Sequence, residues 1–199
     1  MRITILVEGP TEKAFFSCLR EFLKPRLVGR MPNLDAFPYN GRIPKNDDLR
    51  RKVETLLQSG SDAVIALTDV YTGTRDFSTA ADAKKKMSDW VGPNPRFFPH
   101  AAQHDFEAWL LPFWSEIQKL AGHNRKAPPG SPEKVNHTRP PSVYIQEIFR
   151  AGTCRDDYSK PRDALRILKG QNLAIAAEAC PELKSFLNTI LSLCKGEPL

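Results

Sequence analysis

Three acids in this 199-residue chain stand where hydrophobic runs give way to loops. Glu8 follows Ile3-Thr4-Ile5-Leu6-Val7, and Asp69 follows Ala63-Val64-Ile65-Ala66-Leu67-Thr68. Glu107 lies in His104-Asp105-Phe106-Glu107-Ala108-Trp109-Leu110-Leu111. Carboxylates are hard oxygen donors: magnesium takes one or two of them with waters and substrate phosphates, whereas zinc asks for His and Cys. Two such ions clamp the attacking and leaving oxygens of a phosphodiester. In that chemistry Glu8 and Asp69 are ligands, Glu107 is a second-metal ligand or a water-activating base, and Asp76 and Asp105 are auxiliary ligands. Lys160 or Arg75 then steadies transition-state charge. The plainer reading of Glu8 is a turn cap that accepts backbone N–H groups. The two readings separate on whether the other acids reach the same edge.

The elements that must position these acids follow from the hydrophobic pattern. Residues 2–7 form a β-branched, apolar run ended by Glu8 and a Gly-Pro pair, after which Ala14, Phe15, Cys18, Leu19, Phe22 and Leu23 recur at helical spacing. This is a buried strand feeding a helix, with Pro10 suited to the first helical position and Glu12 to the dipole of the first turn. Residues 34–39 contain a proline and read as a short edge strand. Asn46 or Asp47 is the expected cap of a second helix carrying Leu49, Val53, Leu56 and Leu57. Residues 62–69 are a second core strand, nearly all apolar, as when helices cover both sheet faces. Strand, helix and strand in series put Glu8 and Asp69 at one edge of a parallel sheet, where ligands bind in open α/β folds.

A polar helix is expected over 79–90, carrying Lys84-Lys85-Lys86 as a solvated face or as phosphate contacts. Gly92-Pro93-Asn94-Pro95 makes a turn, Arg96-Phe97-Phe98-Pro99 a third parallel strand ending at His100, and Phe106, Trp109 and Leu110 a helical stripe. Residues 122–141 hold prolines at 128, 129, 132, 140 and 141, a composition that excludes helix and core strand. Helices are expected over 143–149, 159–168, 173–179 and 182–193, with Ser159 capping the second. Lys160 and Arg162 in its opening turn oppose the helix dipole and point to an anionic neighbour. The division is an α/β unit over 1–121, a basic Pro/Gly-rich loop over 122–141 and a helical region over 142–199 packed on the same domain.

Composition bounds the function. A net charge of +6 and a pI near 9.2 favour a polyanionic partner, with Arg75, Lys84, Lys85 and Arg162 as candidate nucleic-acid contacts. No apolar run approaches the roughly twenty residues that span a bilayer, and Glu8 and Glu12 interrupt any signal-like segment, so a cytoplasmic location is expected. The four cysteines, Cys18, Cys154, Cys180 and Cys194, are too scattered for a zinc knuckle or a disulfide framework and read as reduced thiols. No P-loop, Rossmann glycine fingerprint or His-Glu-x-x-His is present, nor a recognisable nucleophile motif. His100 and His104 read as loop histidines, and Trp109, Phe113 and Trp114 as core before base-stacking groups.

Ile5-Leu6-Val7-Glu8-Gly9-Pro10-Thr11-Glu12, with the strand ending at Asp69, resembles a toprim domain, the metal-binding module of topoisomerases, primases and overcoming-lysogenization-defect nucleases. The segment His104 to Leu111 resembles more particularly the toprim-like bacterial domain-of-unknown-function 4276 family, and the similarity runs from residue 1 to about 168. The resemblance implies a Rossmann-like α/β fold, a mostly parallel sheet flanked by helices with a C-terminal helical extension. It also implies Mg2+ or Mn2+ at the acidic edge, nuclease activity on DNA or RNA in anti-phage defence, and a separate ATPase subunit beside a chain that can itself self-associate. Glu8 matches the motif-one glutamate and Asp69 the first aspartate of Asp-x-Asp. Tyr71 replaces the second aspartate and is a poor magnesium ligand, so Asp76, Asp105 or Glu107 must complete the site. Otherwise the chain is a degenerate subunit that binds nucleic acid or the ATPase. A third reading is chemistry on a small phosphorylated compound, marked by a narrow acidic pocket without a basic groove.

Overall fold

The structure is a computed structural model and describes residues 1–39, 41–70, 76–134, 139–153 and 157–199. Tyr71, Arg75 and Cys154, named above, lie outside the described residues. Four strands, β1 (Arg2–Val7), β2 (Asn33–Pro38), β3 (Ala63–Asp69) and β4 (Phe97–Ala102), form one parallel sheet in the order β2-β1-β3-β4. Between them run α1 (Pro10–Leu23), α2 (Asn46–Gln58) and α3 (Ala80–Val91). The chain moves from β1 outward to β2, then returns past β1 to build β3 and β4. The strand order therefore reverses between β1 and β3, and at such a switch point the carboxyl ends of the strands open a crevice. Glu8 follows β1 and Asp69 ends β3.

Alternation along the strands explains the two-layered core. Ile3, Ile5 and Val7 of β1, with Ile65 and Leu67 of β3, face α1 and the C-terminal helices. Leu6, Val64 and Ala66 face the opposite layer, where Leu49 and Val53 of α2 meet Ala83 and Met87 of α3. After β4 come a 3-10 helix (Phe106–Phe113) and α4 (Trp114–Ala121), then α5 (Pro141–Ala151), α6 (Lys160–Leu168), α7 (Leu173–Ala179) and α8 (Pro181–Leu193). Helix α6 packs on α1, α8 on β4 and α7 on α8, so the C-terminal helices complete the layer that α1 begins. Trp109 sits in its centre against Phe15, Phe106 and Phe186. Phe113 and Trp114 are buried beside it, so all three rings are core.

Several expectations are corrected. The strand expected to end at His100 runs on to Ala102 and is the fourth, because the proline-bearing edge strand forms as well. Neither Asn46 nor Asp47 caps α2: the helix begins at Asn46 itself, whose φ is 51°, and Lys45 precedes it without a side-chain bond. The stripe after His104 winds as a 3-10 helix, with Pro112 inside it, because proline cannot supply the backbone bond of a continuous α-helix. Within 122–141, Pro132–Lys134 makes a short 3-10 turn and Pro141 opens α5, where a missing N–H costs nothing. Ser159 precedes α6, but its hydroxyl does not cap it; its backbone N–H donates to Asp163 Oδ2 at 2.8 Å. Cys18, Cys180 and Cys194 are free thiols, the first two buried. Among the described residues no helix is long and apolar enough to cross a membrane.

Candidate metal centre

The crevice at the switch point is a cavity of about 460 Å³ whose wall includes Glu8, Glu12, Asp69, Glu107 and Lys160. Pairing of Leu6 with Ala66 carries β1 and β3 side by side to this edge. The Thr68 hydroxyl accordingly reaches Glu8 Oε1 and donates to it. Glu8 is further fixed through its backbone, its carbonyl accepting from the Gly41 N–H at 2.9 Å. Glu12, in the first turn of α1, accepts from the Gly9 N–H at 3.1 Å. Glu107 is brought in by the 3-10 helix after β4, preceded by His104 at φ 74°, a left-handed conformation that a non-glycine residue adopts at a cost.

Like charges crowd here. Burial first, then the charges of Glu8, Glu12, Asp105 and Glu107, push the Asp69 carboxyl well above the usual carboxylate range, and Asp69 is only 6% exposed. Burial also raises Glu12, against the Gly9 hydrogen bond and the Lys160 charge. Glu107 is 0% exposed and is pushed up to about 7 by burial and then by Asp105, with Lys160 opposing. Desolvation works against the Lys160 ammonium, but Glu107, Asp105 and Asp69 outweigh it and raise its pKa. A set of carboxylates that disfavour one another's ionisation is stabilised by a proton or a bound cation.

Other candidates named from sequence lie elsewhere. Asp105 is buried, but its Oδ2 accepts from the Ser142 N–H at 3.2 Å at the start of α5, and it does not line the cavity. Its influence on the site is through its charge. Asp76 is also outside the cavity wall and pairs with Arg42 and, at 2.6 Å, with Lys45. Lys84 Nζ meets Glu182 at 2.6 Å and Lys85 meets Asp89 at 2.6 Å. Arg162 holds the buried Asp163. None of these three cations lines the cavity. His100 is not a loop residue: it lies in β4 with Nε2 3.0 Å from Thr189 Oγ1, and burial, then Lys84, lower its pKa to about 4. Among the described residues, no group of three His, Cys, Asp or Glu side chains is arranged as it stands to hold a metal ion.

Glu12 and Tyr158 are the site residues that sequence reasoning passed over. Glu12 was legible only as a first-turn acid, although it follows Glu8 closely in the chain. Tyr158 donates to Glu107 Oε1 at 3.3 Å across 51 residues of chain, and no local pattern marks such a pair.

The model of the DUF4276 family, described as a domain of unknown function, matches residues 7–191. This chain belongs to that family. Two solved structures share the fold of the DUF4276 chain. The C-terminal region of the Burkholderia pseudomallei OLD protein superposes with a TM-score of 0.55 at 12% identity, covering 97% of this chain and 98% of that one. The C-terminal region of the Xanthomonas campestris pv. campestris OLD protein, phased with platinum, gives 0.51 at 13% identity, covering 98% and 94%. At such identities the likeness is one of fold, and that fold is the parallel α/β sheet flanked by helices expected from the sequence. No curated protein matches the chain in sequence.

Proposed function

We propose that this DUF4276 protein is a Mg2+- or Mn2+-dependent nuclease that hydrolyses phosphodiesters of DNA or RNA, working in anti-phage defence beside a separate ATPase subunit. The observation that carries the reading is the meeting of Glu8, Glu12 and Asp69 in one cavity at the switch point, with Lys160 in the same wall. The donors are all carboxylate oxygens, which fits a hard divalent cation. Magnesium keeps much of its water and needs only one or two carboxylates, so a preformed cage of three side chains is not required. Glu8 and Asp69 would hold the ion, with Glu12 beside them. Once bound, such an ion supplies charge stabilisation at a phosphoryl oxygen. Thr68 orients the Glu8 carboxylate, and Lys160 presents a positive charge to the phosphate from the cavity wall.

The second reading, a non-catalytic subunit that binds nucleic acid or the ATPase, is favoured by Tyr71 in place of an aspartate and by the positions of Asp76 and Asp105 outside the wall. One experiment decides between them. Mg2+ and Mn2+ are titrated calorimetrically into the full chain, Glu8→Gln and Asp69→Asn, and the same samples are assayed on supercoiled plasmid and single-stranded RNA. The expected outcome is metal binding and cleavage in the native chain, with both lost in variants that keep its circular dichroism. Full activity in both variants overturns the nuclease reading; metal-independent nucleic-acid binding without cleavage supports the second.

A further inference from the structure

A second cavity, of about 490 Å³, runs along β2 at the outer edge of the sheet, and Arg2, Lys13 and Arg20 stand in its wall. Among the described residues of that wall Asp35 is the only acid, and Arg2 neutralises it at 2.6 Å. Arg20 spends one guanidinium N–H on an uncharged partner, the Leu34 carbonyl, at 2.7 Å. Lys13 is exposed. Within the groove the charges of Lys13 and Arg20 are thus uncompensated, and Lys52 Nζ lies 3.7 Å from the centre of the Phe37 ring, which also lines it.

This groove leads to the candidate metal centre. On α1 the residues Pro10, Thr11 and Glu12 border the metal cavity and Lys13 begins the groove. Strand β2 ends at Pro38, and Gly41 just beyond it lines the metal cavity as well. The floor of the groove favours an anion over a further strand. Asn33 and Tyr39 donate their N–H groups to Met1 and Val7 of the β1 side at 2.9 and 3.0 Å. Backbone groups alternate sides along a strand, so Leu34, Ala36 and Pro38 turn theirs outward. A strand added there would need donors and acceptors in turn, but Arg20 occupies the Leu34 carbonyl and proline has no N–H to give. The outward donors that remain, the N–H groups of Leu34 and Ala36, stand among cations and suit an oxyanion.

We infer that this groove seats a single strand of nucleic acid, with Lys13 and Arg20 on its phosphates, and guides it to the metal cavity. The inference rests on the reading of that cavity as a phosphodiesterase centre, and it sets aside a small phosphorylated substrate, which needs no basic approach. A single strand reaches the strand-edge donors between α1 and α2, whereas a duplex rests on the rims.

Fluorescent oligo-dT, oligo-U and a mixed-sequence DNA duplex are titrated with the full chain in EDTA, so that cleavage does not intervene, and anisotropy is read over a series of NaCl concentrations. Lys13→Ala is expected to weaken single-strand binding about fivefold at roughly 0.1 M salt and to reduce the slope of log affinity against log salt by about 0.7, the counterion-release share of one phosphate contact. Lys13→Ala/Arg20→Ala loses about twice that slope, while Lys85→Ala, on α3, binds as the native chain does. Lys13→Ala decides alone if circular dichroism shows that the double variant is misfolded. Unchanged affinity and slope in Lys13→Ala overturn the inference. So do a native chain that binds neither oligonucleotide, and a duplex bound more tightly than both. A native dimer in sedimentation that the double variant dissociates, with oligonucleotide binding intact, overturns it in favour of a second copy at β2. Binding that weakens as expected, in a native chain that cleaves nothing when Mg2+ is added, upholds the groove and counts against the nuclease reading alone.

Discussion

Asp69 and Asp163 are two aspartates almost wholly shut away from water, and their surroundings are opposite. Asp163, at 0% side-chain exposure, accepts from the Ser159 N–H at 2.8 Å and is held by Arg162 at 3.0 Å and Arg166 at 3.1 Å. Burial alone would raise its pKa, but Arg162, Ser159 and Arg166 together hold the carboxyl below the ordinary range. Asp69 lies among the carboxylates of Glu8, Glu12, Asp105 and Glu107 as well as the Lys160 ammonium, and burial, then the acids' repulsion, pushes it far the other way. The contrast separates two uses of a buried acid. One is saturated by its own protein and fixes a helix; the other lies among like charges, a repulsion that a proton or a bound cation would relieve.

The comparison is broken first by mutation. Asp163→Ala removes the link between α6 and the segment before it, and about 2–3 kcal/mol of stability should go with it, allowing for the partial exposure of both arginines. Asp69→Asn should leave the metal-free protein as stable as before or more so, since it relieves repulsion. Urea denaturation of both variants checks this, and a large loss in Asp69→Asn would show that its neighbours do not repel it. Adding Mg2+ sharpens the contrast. At a hundredfold excess over its Kd the ion should stabilise the native chain by about 2.7 kcal/mol, but not Asp69→Asn, as thermal melts in the two conditions will show.

The pH profile should bend in opposite senses for the two kinds of acid. Glu107 binds its proton more tightly in the fold than its ordinary value of 4.5 and titrates at about 7. The metal-free protein should therefore lose stability as the pH rises through that interval, and Glu107→Gln should flatten the slope. Asp163 titrates below its ordinary 3.8, so its stabilisation is present above that value and is lost as the pH falls through the depressed one. Melting temperatures from pH 3 to pH 8, a range of about five units chosen to span both ordinary carboxylate values, test both limbs. The smallest effect belongs to α3: Lys84→Ala, breaking a half-buried pair with Glu182, should cost about 0.5 kcal/mol and leave plasmid cleavage as it was.

How much of this was legible in sequence follows from which forces are local. The strands ending at Glu8 and Asp69 were readable because a doubly covered parallel strand writes itself as a continuous apolar run, and the acid closing each run gave away the edge. Helices α7 and α8 announced themselves by periodicity. The 3-10 winding of residues 106–113 did not, because apolar spacing of three and four suits either helix, although Pro112 was a signal within the stretch. Nothing in the sequence pattern marked Asp163, whose burial is a product of tertiary packing. Tyr158 stood in no pattern at all. Residues whose roles depend on partners fifty positions away are decided by tertiary structure, and only their chemistry is visible beforehand.

The packing of α6 on α1 has a consequence for how the molecule is made. The cavity wall draws on Glu8, near the start of the chain, and on Lys160 and Pro161, far along it. During synthesis the sheet strands emerge first, but the wall stays open until α6 has left the ribosome and docked. A nascent chain therefore carries the acids without their lysine, and the complete centre belongs only to a polypeptide that has released the whole of α6, Lys160–Leu168.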